Sequence, residues 1–175
     1  MHDQLTAPTG ETFTFKKGIT DQEIEQLVHF AQTDESVKNF TSDAKRFASR
    51  ESFNAWRKEN TVFYTLNDQA QKLAGIIWLE ELPLPEFNPL QLSASNFNNS
   101  NYNTTFAIRT YENARGKGLS VPFIKKAFED FGAKNVWLAT SPDNIPAVNA
   151  YKKAGFVELG MRKDGQKLIM LLPVV

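Results

Sequence analysis

The chain has 175 residues, with 20 Lys and Arg, 20 Asp and Glu, two His, no Cys and 41% apolar side chains. These values fit one soluble globular domain over residues 1–175. They exclude a disulfide framework, a thiolate nucleophile and a cysteine-ligated metal, and two histidines leave little for a His-rich centre. The zero net charge argues against nucleic-acid binding, which ordinarily shows as a basic excess. No stretch has the length and apolarity of a signal peptide or a membrane span, so the expectation is a cytoplasmic protein with no metal, nucleic-acid or membrane partner.

Residues 12–16 alternate as a strand. Thr20 and Glu23 form a capping-box pair ahead of Ile24, Leu27, Val28 and Ala31, the spacing of an amphipathic helix. A second helical region over 43–58, as one helix or two, offers Phe47, Ala48, Phe53 and Trp56 to the core. Residues 62–66 and 73–82 are β-formers separated by Asn67-Asp68-Gln69, the pattern of an antiparallel hairpin. From 83 to 104 three prolines and an asparagine-rich run predict a long loop.

Downstream, 106–110 predicts a strand and 117–131 a helix with Phe123, Ile124, Ala127, Phe128 and Phe131 inward. A strand at 135–140, a short helix at 144–154 and a closing hairpin of 156–161 with 167–172 across Asp164-Gly165 complete the series. The alternation implies an α/β fold (an α+β mixed sheet) with partly parallel central strands flanked by helices. Trp56, Trp78 and Trp137 are expected in the core or at its edge.

Two constellations carry chemistry. The first lies between the strand ending near Thr110 and the next helix, in Asn113-Ala-Arg-Gly-Lys-Gly-Leu-Ser120. A strand, a two-glycine turn and a helix start gather backbone N–H groups at the positive end of a helix dipole, where phosphate binds. Gly116 and Gly118 let an anion approach the backbone, and Arg115 and Lys117 add charge. The nucleotide-triphosphate loop and the dinucleotide fingerprint do not fit, because Leu-Ser-Val-Pro follows Gly118. In the second, Asn144, Ala147, Tyr151, Gly155 and Phe156 read N-x-x-A-x-x-x-Y-x-x-x-G-F, placing an amide, a methyl and a phenol on one helix face ahead of a glycine cap.

With both motifs in place, the sequence over 104–161 resembles the GNAT superfamily of acyl-CoA-dependent N-acyltransferases. Its turn has the form [RQ]-x-x-G-x-[GA], met here by Arg115 and Gly118, with Ser120 in the place of Gly or Ala. Every named position of its second motif is matched. The resemblance implies acetyl-CoA as co-substrate, with the pyrophosphate on the backbone of Gly116, Lys117, Gly118, Leu119, Ser120 and Val121 beside Arg115. It implies pantetheine pairing along Ile108, Arg109 and Thr110, Asn144 bonding the pantetheine, and Tyr151 beside the sulfur as general acid. The acceptor it implies is a primary amine on a small molecule or a peptide N-terminus, in a monomer or homodimer, with the 83–104 loop near the acceptor side.

The general base stays open. The strand position at which some relatives carry a glutamate is Ala139, which leaves Glu112, Glu80 and Glu81 as candidates; His29 is expected to pack rather than to act as a base. A catalytically inactive acyl-CoA-binding sensor is the alternative. Residues 1–104 carry nine basic and fourteen acidic side chains, a net charge of −5, and 105–175 carry eleven and six, a net charge of +5. That split suggests a basic cofactor half and an acidic half suited to a cationic amine.

Overall fold

A computed structural model describes residues 3–90 and 101–173. Two compact units are present, one of residues 1–78 with 108–123, the other of 79–107 with 124–175. Each is assembled from two separated segments, so no single cut in the sequence divides them.

The first unit holds β1 (Asp3–Thr6), β2 (Thr12–Lys17), α1 (Asp21–Thr33), α2 (Glu35–Phe40), α3 (Asp43–Arg46), α4 (Arg50–Trp56) and β3 (Val62–Asn67). To these it adds most of β4 (Leu73–Glu81), the end of β6 (Thr104–Thr110) and the start of α5 (Ser120–Phe131). Its strands stand in the order β1-β2-β3-β4-β6, and the β1–β2 and β2–β3 registers are antiparallel. Strand β1 carries no apolar alternation; Ala7 N–H to Glu11 O closes its hairpin at 2.8 Å.

The capping box forms as its spacing predicts. Thr20 Oγ1 accepts the Glu23 N–H at 3.3 Å, and Glu23 Oε2 accepts the Thr20 N–H at 2.7 Å. Glu23 is nonetheless buried, because its other oxygen accepts Lys16 Nζ at 2.7 Å and Asn67 Nδ2 at 2.6 Å, tying α1 to β2 and β3. Region 43–58 breaks into two helices at 47–49, where Ser49 Oγ accepts the Ser52 N–H at 3.1 Å and starts α4. Ala48, expected inward, falls in that break and is exposed. Phe47, Phe53, Trp56, Phe63 and Trp78 form an aromatic cluster at edge-on and tilted angles. At the β3–β4 turn, Asp68 Oδ1 accepts the N–H groups of Ala70 and Lys72, both at 2.9 Å.

The second unit holds β5 (Phe87–Pro89), β7 (Val136–Thr140), α6 (Ile145–Lys153), β8 (Val157–Arg162) and β9 (Leu168–Leu171), with the remaining parts of β4, β6 and α5. The order is β4-β6-β7-β9-β8-β5. Strands β6 and β7 are parallel, whereas β7–β9, β9–β8 and β8–β5 are antiparallel, the mixed sheet expected. Tyr102, Trp137, Leu159, Ile169 and Leu171 form one core cluster, against which Leu84 and Phe87 pack.

The loop expected over 83–104 needs correction at one place: Phe87–Pro89 pair with β8 as an edge strand. The reason lies far along the chain, since a Cβ on Gly160 would come within 2.1 Å of the Asn88 carbonyl oxygen. Only glycine there lets β5 approach. Residues 91–100 of that run lie outside the described residues.

Candidate functional site

In the first unit, strand β6 runs into a tight series of turns. The N–H groups of Ala114 and Arg115 donate to Tyr111 O at 2.9 and 2.8 Å, and that of Lys117 donates to Ala114 O at 3.3 Å. Tyr111, Ala114 and Leu119 are buried and pin the turn from beneath. Burial, with the Asp43 charge second, drives the Tyr111 phenol far above its ordinary range. Gly116 and Gly118 have φ of +76° and +70°, which side chains rarely adopt, and nothing lies within 4 Å of a Cβ built on Gly116. The turn therefore presents bare backbone on that side, as an approaching anion requires.

Helix α5 begins at Ser120, three residues later than the apolar pattern suggests, because the left-handed glycines cannot belong to it. The N–H groups of Ser120 and Val121 lie in its first turn, where no carbonyl of the same helix can accept them. The Lys117 N–H, expected to face a ligand, is instead spent on Ala114 O.

The two basic side chains of the turn are committed to carboxylates. Arg115 Nη2 donates to Asp34 Oδ2 at 2.8 Å and to Thr110 O at 2.9 Å. Lys117 Nζ donates to Glu11 Oε1 and lies over the Phe13 ring; its hydrogen bond, followed by that of Thr9, holds the Glu11 carboxyl below its usual range.

Along β6 the backbone groups divide by parity. The Tyr111 N–H donates to Ala74 O at 2.9 Å, and Arg109 O lies beside Gly75, so the odd residues face β4. Ile108 and Thr110 therefore direct their N–H and C=O groups to the opposite edge. Arg109 Nη1 donates to Ile108 O at 2.9 Å while its fork grips Asp43, Nε to Oδ2 at 2.6 Å and Nη2 to Oδ1 at 2.9 Å, over the face of Trp78.

In the second unit Asn144 is the N-cap of α6 rather than a member of its face: its Oδ1 accepts the Ala147 N–H at 3.4 Å. The other end closes as a Schellman motif, with Phe156 N–H to Tyr151 O and Gly155 N–H to Lys152 O, both 3.0 Å. Tyr151 is buried, its ring edge-on to Phe106 and Phe156.

With that geometry established, comparison with family models matches residues 24–156 to the acetyltransferase (GNAT) family. The chain belongs to the GNAT acetyltransferase family. Solved structures agree on the fold at low identity. The GNAT domain of the S. lividans protein PAT is 15% identical, covering 98% of this chain and 97% of that one, with a TM-score of 0.67. An aminoglycoside N(6')-acetyltransferase from Legionella pneumophila is 18% identical over 91% of each chain, at 0.65. A spermidine N-acetyltransferase from Vibrio cholerae, solved with CoA and spermine, is 16% identical over 91% and 93%, at 0.63. A comparison with curated protein sequences returned no match.

Within this GNAT chain the base candidates differ in exposure. Glu112, Glu81 and Ala139 are exposed, and Glu80 is half-buried and partnered. His29 is exposed rather than packed. Among the described residues no group of three or more His, Asp or Glu could hold a metal ion, and no helix is long and apolar enough to cross a membrane. The sequence reading missed Asp34, Asp43 and Glu11, acids that lie 66 to 106 residues from their basic partners and leave no periodic signal.

Proposed function

We propose that this protein transfers an acetyl group from acetyl-CoA to a primary amine of a small molecule or a peptide N-terminus, within one domain over 1–175. The observation that carries the reading is the turn itself, two left-handed glycines ahead of α5, with bare backbone open at Gly116 and the Pro8 ring 3.6 Å from a Cβ built on Gly118. A thioester supplies the reaction with an electrophilic carbonyl and a thiolate that can leave.

The chain's own groups then have distinct tasks. The N–H groups of Gly118, Ser120 and Val121, with the helix dipole behind them, hold pyrophosphate charge. The N–H groups of Ile108 and Thr110 lie on the β6 edge away from β4 and are the ones able to pair with pantetheine and polarise a carbonyl, a contribution of typically a few kcal/mol. That of Arg109 faces β4. Asn144 keeps its Nδ2 as a donor to pantetheine while Oδ1 caps α6. As the C–N bond forms and the C–S bond breaks, the Tyr151 hydroxyl gives its proton to the leaving sulfur, and the amine loses one to Glu112 or to water.

The test is Tyr151→Phe, which keeps the ring contacts with Phe106 and Phe156. Turnover measured by free-thiol release falls about 100-fold or more, the usual size of a general-acid effect, while acetyl-CoA affinity is retained. Unchanged turnover removes the acid role. The second reading, a CoA-binding sensor, is favoured by Ala139, which puts a methyl where some relatives carry a carboxylate. Saturable acetyl-CoA binding without thiol release, across polyamines, aminoglycosides, amino acids and peptides, would establish it.

A further inference from the structure

An acidic residue outside both motifs is paired with the arginine of the glycine turn. Asp34 ends α1 and caps α2, its Oδ1 accepting the Val37 N–H at 3.1 Å while Oδ2 takes Arg115 Nη2 at 2.8 Å. The same Nη2 reaches Thr110 O at 2.9 Å, on the β6 edge that faces away from β4. Asp34 thus neutralises the turn's arginine through the same guanidinium nitrogen that occupies an acceptor of the strand edge. Asp34 is nearly buried, its side chain 9% exposed, but Arg115 is 40% exposed and able to turn outward. Lys117 is held in the same manner by Glu11.

We propose that Asp34 is an internal counter-anion of the glycine turn, holding Arg115 folded against Thr110 until a pyrophosphate-bearing ligand draws it away. This rests on the acyl-CoA reading of the site. Pyrophosphate carries more charge than one carboxylate and accepts the guanidinium fork bidentately, whereas a half-exposed ion pair is worth little. When Arg115 leaves, the Thr110 carbonyl is vacated for an amide N–H of the ligand, so one side-chain movement serves both contacts. Asp34 thereby lowers affinity for the cofactor.

Calorimetric titration with acetyl-CoA tests this. Asp34→Asn and Asp34→Ser both keep an oxygen to cap α2 while removing the charge. Each lowers the acetyl-CoA Kd by roughly three- to five-fold, the value of a partly exposed ion pair. In an Arg115→Gln background the same substitution leaves Kd unchanged. Weaker or unaltered binding by both Asp34 variants overturns the proposal, as does a gain that persists without Arg115, which would mark Asp34 as a distant charge only. Absence of saturable heat in the unsubstituted protein removes the acyl-CoA reading and this inference with it; binding without the Asp34 effect removes the inference alone.

Discussion

Asp43 and Arg109 provide a quantitative test of how the first unit is held together. The Asp43 side chain is 2% exposed and that of Arg109 15%, with two hydrogen bonds at 2.6 and 2.9 Å between them and Arg46 3.8 Å from the same carboxylate. Asp43→Ala leaves the guanidinium over Trp78 without its carboxylate, Nη1 still on Ile108 O, and Arg109→Met leaves a buried carboxylate facing the more distant Arg46. Breaking one side of a buried pair costs about 3 kcal/mol or more. At about 2–4 °C per kcal/mol for a chain of this size, either variant melts about 6–12 °C lower. The double variant removes both charges, so its loss falls short of the sum of the singles by at least about 1.5 kcal/mol. Urea unfolding of the four proteins at one pH supplies the cycle. A coupling below about 0.5 kcal/mol would refute the argument and reduce the contact to surface electrostatics.

Gly160→Ala should detach β5, since its Cβ meets backbone atoms of Asn88 and Pro89 that have no rotamer in which to retreat. Hydrogen exchange at the Leu90 and Lys163 amides, which donate to Leu159 O and Glu86 O, then accelerates while the β7–β9 amides keep their protection. The acid side of the stability curve should depend on Glu23. Burial raises its carboxyl, but hydrogen bonds from Lys16, Thr20 and Asn67 outweigh that and hold it below the ordinary value of 4.5. A depressed folded-state value means the stabilisation is complete above about 4.5 and disappears as pH falls through the lower value. Urea midpoints at pH 7, 5, 4 and 3 therefore decline less steeply below pH 5 in Glu23→Gln than in the unsubstituted protein, and parallel declines would contradict the assignment.

The features readable from the sequence are those enforced by neighbours within one turn or one hairpin. Thr20 and Glu23 are three residues apart, and their mutual bonds follow from that spacing. The closing Gly155-Phe156 pair is equally local and reads from the sequence, whereas Asn144, read as part of the α6 face, instead caps that helix. Features set by distant partners were not legible. Strand β5 exists because Gly160 yields space to Asn88, and the fate of Arg115 depends on an aspartate 81 residues earlier. The charge contrast between the two halves of the sequence also has a different meaning in the structure. Of the acids in the first half, Glu11, Asp34 and Asp43 are occupied by Lys117, Arg115 and Arg109 of the second. Ala48, read as inward within region 43–58, falls in the break before the serine that starts a new helix one residue later and is exposed.

The discontinuity of the first unit has a consequence for the order of events during synthesis. Residues 79–107 separate its two segments, and closing a flexible loop of that length costs about 3 kcal/mol in chain entropy before any contact compensates. A ribosome that has made the first hundred residues has made Asp34 and Asp43 but, apart from the more distant Arg46 beside Asp43, neither arginine that pairs with them. The nascent helices α1 to α4 therefore wait as an acidic, half-finished assembly, and the arrival of 108–123 supplies in one short stretch the strand end, the buried Tyr111 and Leu119, and the three cations that complete it. The segment read from sequence as a cofactor motif is also the piece that completes the packing and the ion pairs of the first unit.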